Sequence, residues 1–157
     1  MLLFEMREEE GRPLLFETLM ASIHNSVGSN QYRNMYMERY EGVIDVLNDG
    51  DLSCAYYVSS LLVPFGLINR AHTWVKNTIH DLHSSGWEAT KKLEPGSVLI
   101  WAERTGQSGI PHKHIGFYVG EGLAVSNSDQ ARSPQKHDAD MGGRHIELIL
   151  DHYALKR

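Results

Sequence analysis

Residues 114–127 read HIGFYVGEGLAVSN, and this stretch decides how the second half of the chain folds. Apolar residues alternate with small or polar ones on both sides of Gly120-Glu121-Gly122, which is typical of two strands joined by a hairpin turn. Successive side chains of a strand point to opposite faces. One face of the first strand therefore holds Ile115, Phe117 and Val119, which we expect to be buried. The opposite face holds His114, Gly116 and Tyr118.

The chain before this hairpin has a helical pattern. Apolar residues recur at helical spacing in four stretches, at 15–27, 32–47, 54–62 and about 73–84. Strands are predicted at 97–101, 114–119, 123–126 and 144–153, with an irregular loop over 128–143. Helices that precede strands indicate the α+β class. We therefore expect N-terminal helices packed on a small antiparallel sheet.

Size and composition limit the classes of function. The 157 residues predict a single domain spanning 1–157, with a loose lead-in at 1–13 and a helical extension at 14–50. A net charge of −5 provides no basic surface for nucleic acid. No apolar run approaches the ~18 residues of a membrane span, and no secretory leader is visible. We expect a soluble protein that is cytoplasmic, leaves the cell by a non-classical route, or has lost a leader.

The single cysteine occupies a position suited to a nucleophile. Cys54 opens the third apolar stretch at a predicted helix start, and His114 opens a later strand. Thiol chemistry requires the thiolate, which a helix N-terminus and a neighbouring imidazolium both favour. We therefore predict that Cys54 is a nucleophile and that His114 is its proton shuttle. The alternative is an inert Cys54, because a free cysteine in an apolar helix is usually a small buried hydrophobe.

Neighbouring residues offer the remaining parts of acyl-transfer chemistry. The backbone N–H of Cys54 can contribute to an oxyanion hole. Asp51 or Ser53 can cap the helix, and Ser53 can also donate a hydrogen bond to the oxyanion. Gly116 lies on the same strand face as the imidazole, so its missing side chain would leave room for a substrate backbone.

The imidazole also needs an orienting partner, and three residues are candidates. Asn127 is the first choice, because its amide oxygen can accept from an imidazole N–H and fix the tautomer. Ser126 is the rival, and His137 is a more distant option. The sequence contains neither HExxH nor CxxC, and no helix follows the hairpin glycines. We therefore predict no metal and no cofactor.

Three blocks of sequence resemble the NlpC-type branch of the papain-like cysteine peptidases and the related CHAP amidases. Residues 51–58, DLSCAYYV, resemble the nucleophile helix of that family. Residues 93–101, LEPGSVLIW, resemble its proline-glycine turn and the strand before the catalytic histidine. Residues 114–127 resemble the histidine strand, the hairpin and the strand that carries the third catalytic residue. The likeness spans residues 50–153, roughly two thirds of the chain.

The resemblance implies a papain-like fold with its catalytic core at 51–153 and its site between helices and sheet. It implies a bacterial thiol hydrolase that cleaves an amide bond in peptidoglycan peptides. Cys54 would be the nucleophile, His114 the base, and Ser126 or Asn127 the third residue. The substrate partner would be a peptide or a peptidoglycan fragment, and an immunity or targeting partner stays open. The alternatives are acyl transfer or deamidation on the same fold, and a non-enzymatic binding module.

The nucleophile block departs from the family pattern in one respect. The family usually has Asp directly before the cysteine and Ser-Gly directly after it. Here Ser53 precedes Cys54, and Ala55-Tyr56 follow. The resemblance therefore extends to the reaction type more readily than to the identity of the substrate.

Overall fold

A computed structural model describes residues 11–106 and 108–156, so most of the predicted lead-in at 1–13 lies outside the described residues. The helices are α1 (Leu15–Ser26), α2 (Cys54–Leu62) and α3 (Val75–Ser84), with short 3-10 turns at Val63–Phe65 and Tyr153–Leu155. The strands are β1 (Tyr36–Arg39), β2 (Gly42–Asp45), β3 (Trp87–Thr90), β4 (Val98–Thr105), β5 (Pro111–Gly120), β6 (Leu123–Ser128), β7 (Ser133–Asp138) and β8 (Ile146–His152).

The strands form two sheets, and every neighbouring pair is antiparallel. The larger sheet has six strands in the order β3-β8-β4-β5-β6-β7, and β1 and β2 form a separate hairpin. Helices α1 and α2 precede the larger sheet in the chain and α3 precedes its first strand. The α+β prediction is therefore confirmed. Among the described residues, no helix combines the length and the apolar character needed to cross a bilayer.

The six-stranded sheet has an apolar cluster on each face. The larger cluster joins α1 and α2 to Ile100, Ile115 and Phe117 on the sheet. A hydrogen bond of 2.7 Å between Ser26 Oγ and the Tyr57 hydroxyl ties α1 to α2 within it. The smaller cluster, on the opposite face, contains Leu99, Trp101, Tyr118, Ala124 and Ala139. The alternation predicted for β5 is confirmed, because Ile115 and Phe117 belong to one cluster and Tyr118 to the other.

The helix predicted at 32–47 is wrong, because this segment is the β1–β2 hairpin. Gly42 adopts a φ of 119°, which suits a turn and not a helix. The Asp45 carboxylate accepts from the backbone N–H groups of Met35, Leu47 and Asp49. These bonds compete with helical ones, so the extension at 14–50 is helical only in α1.

The irregular loop predicted at 128–143 is also wrong, because it contains β7. This strand pairs with β6 from Leu123↔Asp138 to Ser128↔Ser133. It is an edge strand with one neighbour, and it therefore needs few apolar side chains. Pro134 fits there, since a proline lacks the N–H that a central strand must donate.

Candidate functional site

Cys54 is the first residue of α2, and its thiol lies against the backbone of β5. Burial raises the pKa of the thiol, and the nearby backbone N–H groups of Ile115, Ala55 and Cys54 itself oppose that rise. Ile115 follows His114 directly, so α2 begins beside the part of β5 that carries His114. Cys54 is 9% exposed and His114 is 8% exposed. In the described part of the chain, no hydrogen bond joins the thiol to the imidazole.

A left-handed turn holds the start of α2 in place. Asn48, Asp49 and Gly50 have φ values of 50°, 52° and 90°. Nη1 of Arg132 donates to the carbonyls of Asn48 and Asp49, at 2.7 and 3.2 Å. Nδ2 of Asn127 donates to the Gly50 carbonyl at 2.8 Å. Three successive carbonyls are thus hydrogen-bonded to β6 and to the turn after it. These bonds fix the position of Cys54 at the start of α2.

A line of hydrogen bonds leads away from His114. Its Nε2 lies 2.8 Å from Ser126 Oγ, and Ser126 Oγ lies 2.6 Å from Nε2 of His137. Nδ1 of His137 lies 2.8 Å from the Asp138 carbonyl oxygen. We call His114, Ser126 and His137 the relay.

The Asp138 carbonyl sets the direction of every proton in the relay. A carbonyl only accepts, so Nδ1 of His137 carries a hydrogen, and Nε2 of a neutral His137 must accept. Ser126 then donates to His137 and accepts from His114, which places the hydrogen of a neutral His114 on Nε2. The Nδ1 of His114 is left with a lone pair and has no hydrogen-bond partner among the described residues. This assignment makes Nδ1 the basic nitrogen.

Trp101 covers the relay. Its ring centroid lies 5.5 Å from that of His114 and 5.7 Å from that of His137. Its indole N–H donates to the Ala139 carbonyl at 2.8 Å, and the side chain is fully buried. The relay is therefore shielded from water on this side, and its hydrogen bonds are correspondingly stronger.

Burial favours the neutral forms of both Cys54 and His114. Burial raises the pKa of the Cys54 thiol to about 11, although the N–H groups of Ile115 and Ala55 oppose the rise. Burial, assisted by the charge of Arg144, lowers the pKa of His114 to about 3. We expected a thiolate, but the pKa values leave a thiol and a neutral imidazole at rest.

Arg144 also lies in this region, although no sequence pattern singles it out. Its Nε donates to the Ala102 carbonyl at 2.7 Å, and its Nη2 donates to the His112 carbonyl at 2.9 Å. Its charge acts on the pKa values of both Cys54 and His114. Arg144 follows two glycines in a turn, and that context carries no signal of a half-buried cation near a site.

The structure brings some of the predicted site residues together and separates others. Ser126 contacts His114, whereas Asn127 lies on the other face of β6 and holds Gly50. Asp51 accepts from the Asn48 amide at 3.2 Å and does not cap α2. Ser53 occupies the N-cap position without a capping bond from its side chain. Its Oγ is buried and has no partner among the described residues.

Gly116 has a different role from the one we expected. A Cβ added there would lie 2.7 Å from both Ser126 Cβ and the Val125 carbonyl oxygen, and 3.1 Å from the Trp101 ring. The space beside Gly116 is therefore filled by the relay and its cover. A glycine is needed at 116 because β5, Ser126 and Trp101 approach each other closely. The close packing, and not room for a substrate backbone, explains the absence of a side chain.

A second polar cluster lies away from Cys54. The Asp81 carboxylate, near the end of α3, accepts from His72 at 2.6 Å and from the Asn69 amide at 2.7 Å. It borders a cavity of about 690 Å³. Although burial opposes it, the hydrogen bonds from His72 and Asn69 lower the pKa of Asp81 to about 2. These bonds fix the loop between α2 and α3. The described residues include no cluster of three or more His, Cys, Asp or Glu able to share a metal ion.

Comparison with known proteins adds no relative: no family model matches the sequence, and a search of curated proteins finds no match.

Proposed function

We propose that this protein is a thiol-dependent hydrolase of amide bonds with a papain-like arrangement of helix and sheet. Cys54 is the nucleophile, His114 the general base, and Ser126 with His137 orients the imidazole. The observation that carries the proposal is the relay, because its hydrogen bonds leave Nδ1 of His114 unprotonated. A buried imidazole held in one tautomer beside the start of a cysteine helix is suited to general-base catalysis.

The reaction starts from the neutral pair. The thiol adds to the substrate carbonyl as its proton moves to Nδ1 of His114, and the carbonyl oxygen becomes an oxyanion. The backbone N–H of Cys54 and the free hydroxyl of Ser53 are the donors we assign to that oxyanion. The C–N bond then breaks, and His114 returns the proton to the leaving amine. His114 next takes a proton from water, which attacks the thioester and releases the acid and the thiol.

Peptidoglycan peptides are the substrates we propose, on the strength of the sequence resemblance. The three blocks fall on α2, on β4 and its preceding turn, and on β5 and β6. These strands are adjacent in the sheet, and α2 packs on it. We assign Ser126 to the third position of the resemblance, with His137 behind it.

Digestion of muropeptides by the purified protein tests the proposal. We expect products that are cleaved at one amide bond, identified by mass, and no products from Cys54→Ala. Adding a primary amine separates the alternatives, because an acyltransferase would form the new amide and a hydrolase would form the acid. Undiminished cleavage by Cys54→Ala, or no cleavage by the wild type, would overturn the proposal that the protein is a hydrolase.

The exposure and pKa of Cys54 favour one rival, a non-enzymatic binding module. A cysteine that is only 9% exposed, with a raised thiol pKa, also fits an inert core residue. The two proposals differ in what they require of the relay. In an inert module the relay would serve only stability. Conservative relay variants that stay folded would then bind ligands as the wild type does, whereas in a hydrolase they would lose activity.

A further inference from the structure

Arg144 is a half-buried cation without a carboxylate partner among the described residues. No Asp or Glu oxygen of the described residues lies within 4.0 Å of its guanidinium, although Asp129 is near enough to influence its charge. An unpaired buried charge is costly, and arginines in such positions are usually paired or used in recognition. The missing anion is therefore the feature to explain.

The position of the guanidinium is fixed relative to His114. Trp101 and His114 face each other in the β4–β5 ladder, and the ladder is irregular just beyond them. Arg144 bridges this irregularity by bonding to the carbonyls of Ala102 and His112. Its guanidinium is thus held at the end of the strand pair where His114 lies.

The bonding leaves donors unused. Nε and one terminal nitrogen, Nη2, are committed to carbonyls, while Nη1 has no partner among the described residues. A planar guanidinium recognises carboxylates through paired N–H groups, and a fixed one loses little entropy on binding. We propose that Arg144 is a specificity-determining residue that binds a carboxylate of the substrate close to the scissile amide. This inference rests on the proposed function, and it narrows the substrates to acidic peptides.

Matched peptides test the assignment. The probes are the stem tetrapeptide L-Ala-γ-D-Glu-L-Lys-D-Ala and two versions of it, one with the glutamate carboxyl amidated and one with the C-terminal carboxyl amidated. We expect the wild type to prefer the free acid over one of the amides by about 10- to 100-fold in kcat/KM, the effect of a charged hydrogen bond. The amide that is disfavoured identifies which carboxylate Arg144 binds.

Variants separate recognition from stability. In Arg144→Gln the ratio of kcat/KM for the free acid to that for the disfavoured amide should fall to about one. Arg104→Gln removes a neighbouring exposed charge and should keep the ratio of the wild type. Arg144→Lys keeps the charge without the planar group, and its preference should fall by at least about threefold. Equal preference in wild type and Arg144→Gln would overturn the inference. If Arg144→Gln does not fold, an undiminished preference in Arg144→Lys would overturn it.

Binding measurements test the carboxylate site independently of the proposed hydrolase activity. Calorimetry with Cys54→Ala and Cys54→Ala/Arg144→Gln measures affinity for the same peptides without turnover. If the wild type cleaves none of the peptides, the proposed hydrolase function is wrong. A preference for the free acid that disappears with Arg144→Gln would still support the carboxylate site. Equal affinities for acid and amides, or no binding of any probe, would overturn it.

Discussion

Ser126 Oγ lies 2.8 Å from Nε2 of His114, and the pairing of β5 with β6 at Gly116↔Ser126 holds the two side chains together. Both side chains are almost fully buried. The bond commits Nε2, so the chemistry of His114 is directed to Nδ1. The contact also explains the glycine between them, because a side chain at 116 would collide with Ser126.

Ser126→Ala should lower kcat/KM for the proposed hydrolysis by about 10- to 100-fold. The substitution leaves both imidazoles without the hydroxyl that joins them. His137→Ala should cause a similar loss, and the double variant should be little worse than either, since the relay acts as a unit. Ser128→Ala, on the same strand, is the control for packing effects. Unchanged kcat/KM in a folded Ser126→Ala would contradict a catalytic relay.

Alkylation of Cys54 by iodoacetamide should increase with pH and show no plateau below about pH 9. The pKa of the thiol is raised to about 11, so the reactive thiolate becomes the main form only above that value. Alkylation rates measured by mass from pH 5 to pH 11 test this. A plateau at neutral pH that disappears in His114→Ala would indicate a resting ion pair and contradict the neutral pair.

The free energy of unfolding should fall as the pH is lowered from about 6.5 towards 4. The folded pKa of His114 is lowered to about 3 from its ordinary value of 6.5, chiefly by burial. Between these values the unfolded chain binds a proton that the folded chain excludes, so acid favours unfolding. Asp81 contributes a further loss of stability only when the pH falls below 3.8, the ordinary pKa of its carboxyl group.

Urea unfolding between pH 4.5 and 7 measures this effect. His114→Gln removes the titrating ring, and its stability should depend less steeply on pH over that range. The remaining slope comes from groups that both proteins share. Identical slopes in the two proteins would show that folding does not lower the pKa of His114.

Asn127→Ala should lower the free energy of unfolding by about 1–3 kcal/mol, because the Gly50 carbonyl loses its donor. It should also lower kcat, since the turn at 48–50 places the start of α2. Asn25→Ala, at an exposed position on α1, is the matched control and should change neither quantity. Thermal unfolding and kinetics on the same preparations test both effects. A fully active and stable Asn127→Ala would show that Arg132 alone holds the turn.

The sequence predicted the parts of the fold that local pattern determines. The β5–β6 hairpin and the starts of α2 and α3 follow from alternation and helical spacing. The pattern failed where tertiary contacts decide. Tyr36, Tyr40 and Val43 mimic a helix face, yet they lie exposed on a hairpin organised by Asp45. Strand β7 is polar because it lies at a sheet edge.

The sequence sufficed to choose two residues of the candidate site, and it did not reveal their surroundings. Cys54 and His114 could be chosen because each opens an element with a recognisable pattern. The choice between Ser126 and Asn127 depends on which face of β6 meets His114, and the β5 register decides that. Arg144 reaches the site through backbone carbonyls of β4 and β5, and no local pattern encodes such a contact.

A double-mutant cycle on Cys54 and His114 tests the central claim most directly. The kcat/KM for muropeptide hydrolysis is measured for wild type, Cys54→Ala, His114→Ala and the double variant. If the thiol and the imidazole act as one unit, each single substitution should reduce kcat/KM by at least about 10³-fold and the double should be no worse. Independent, additive losses, or turnover that survives without Cys54, would contradict the account.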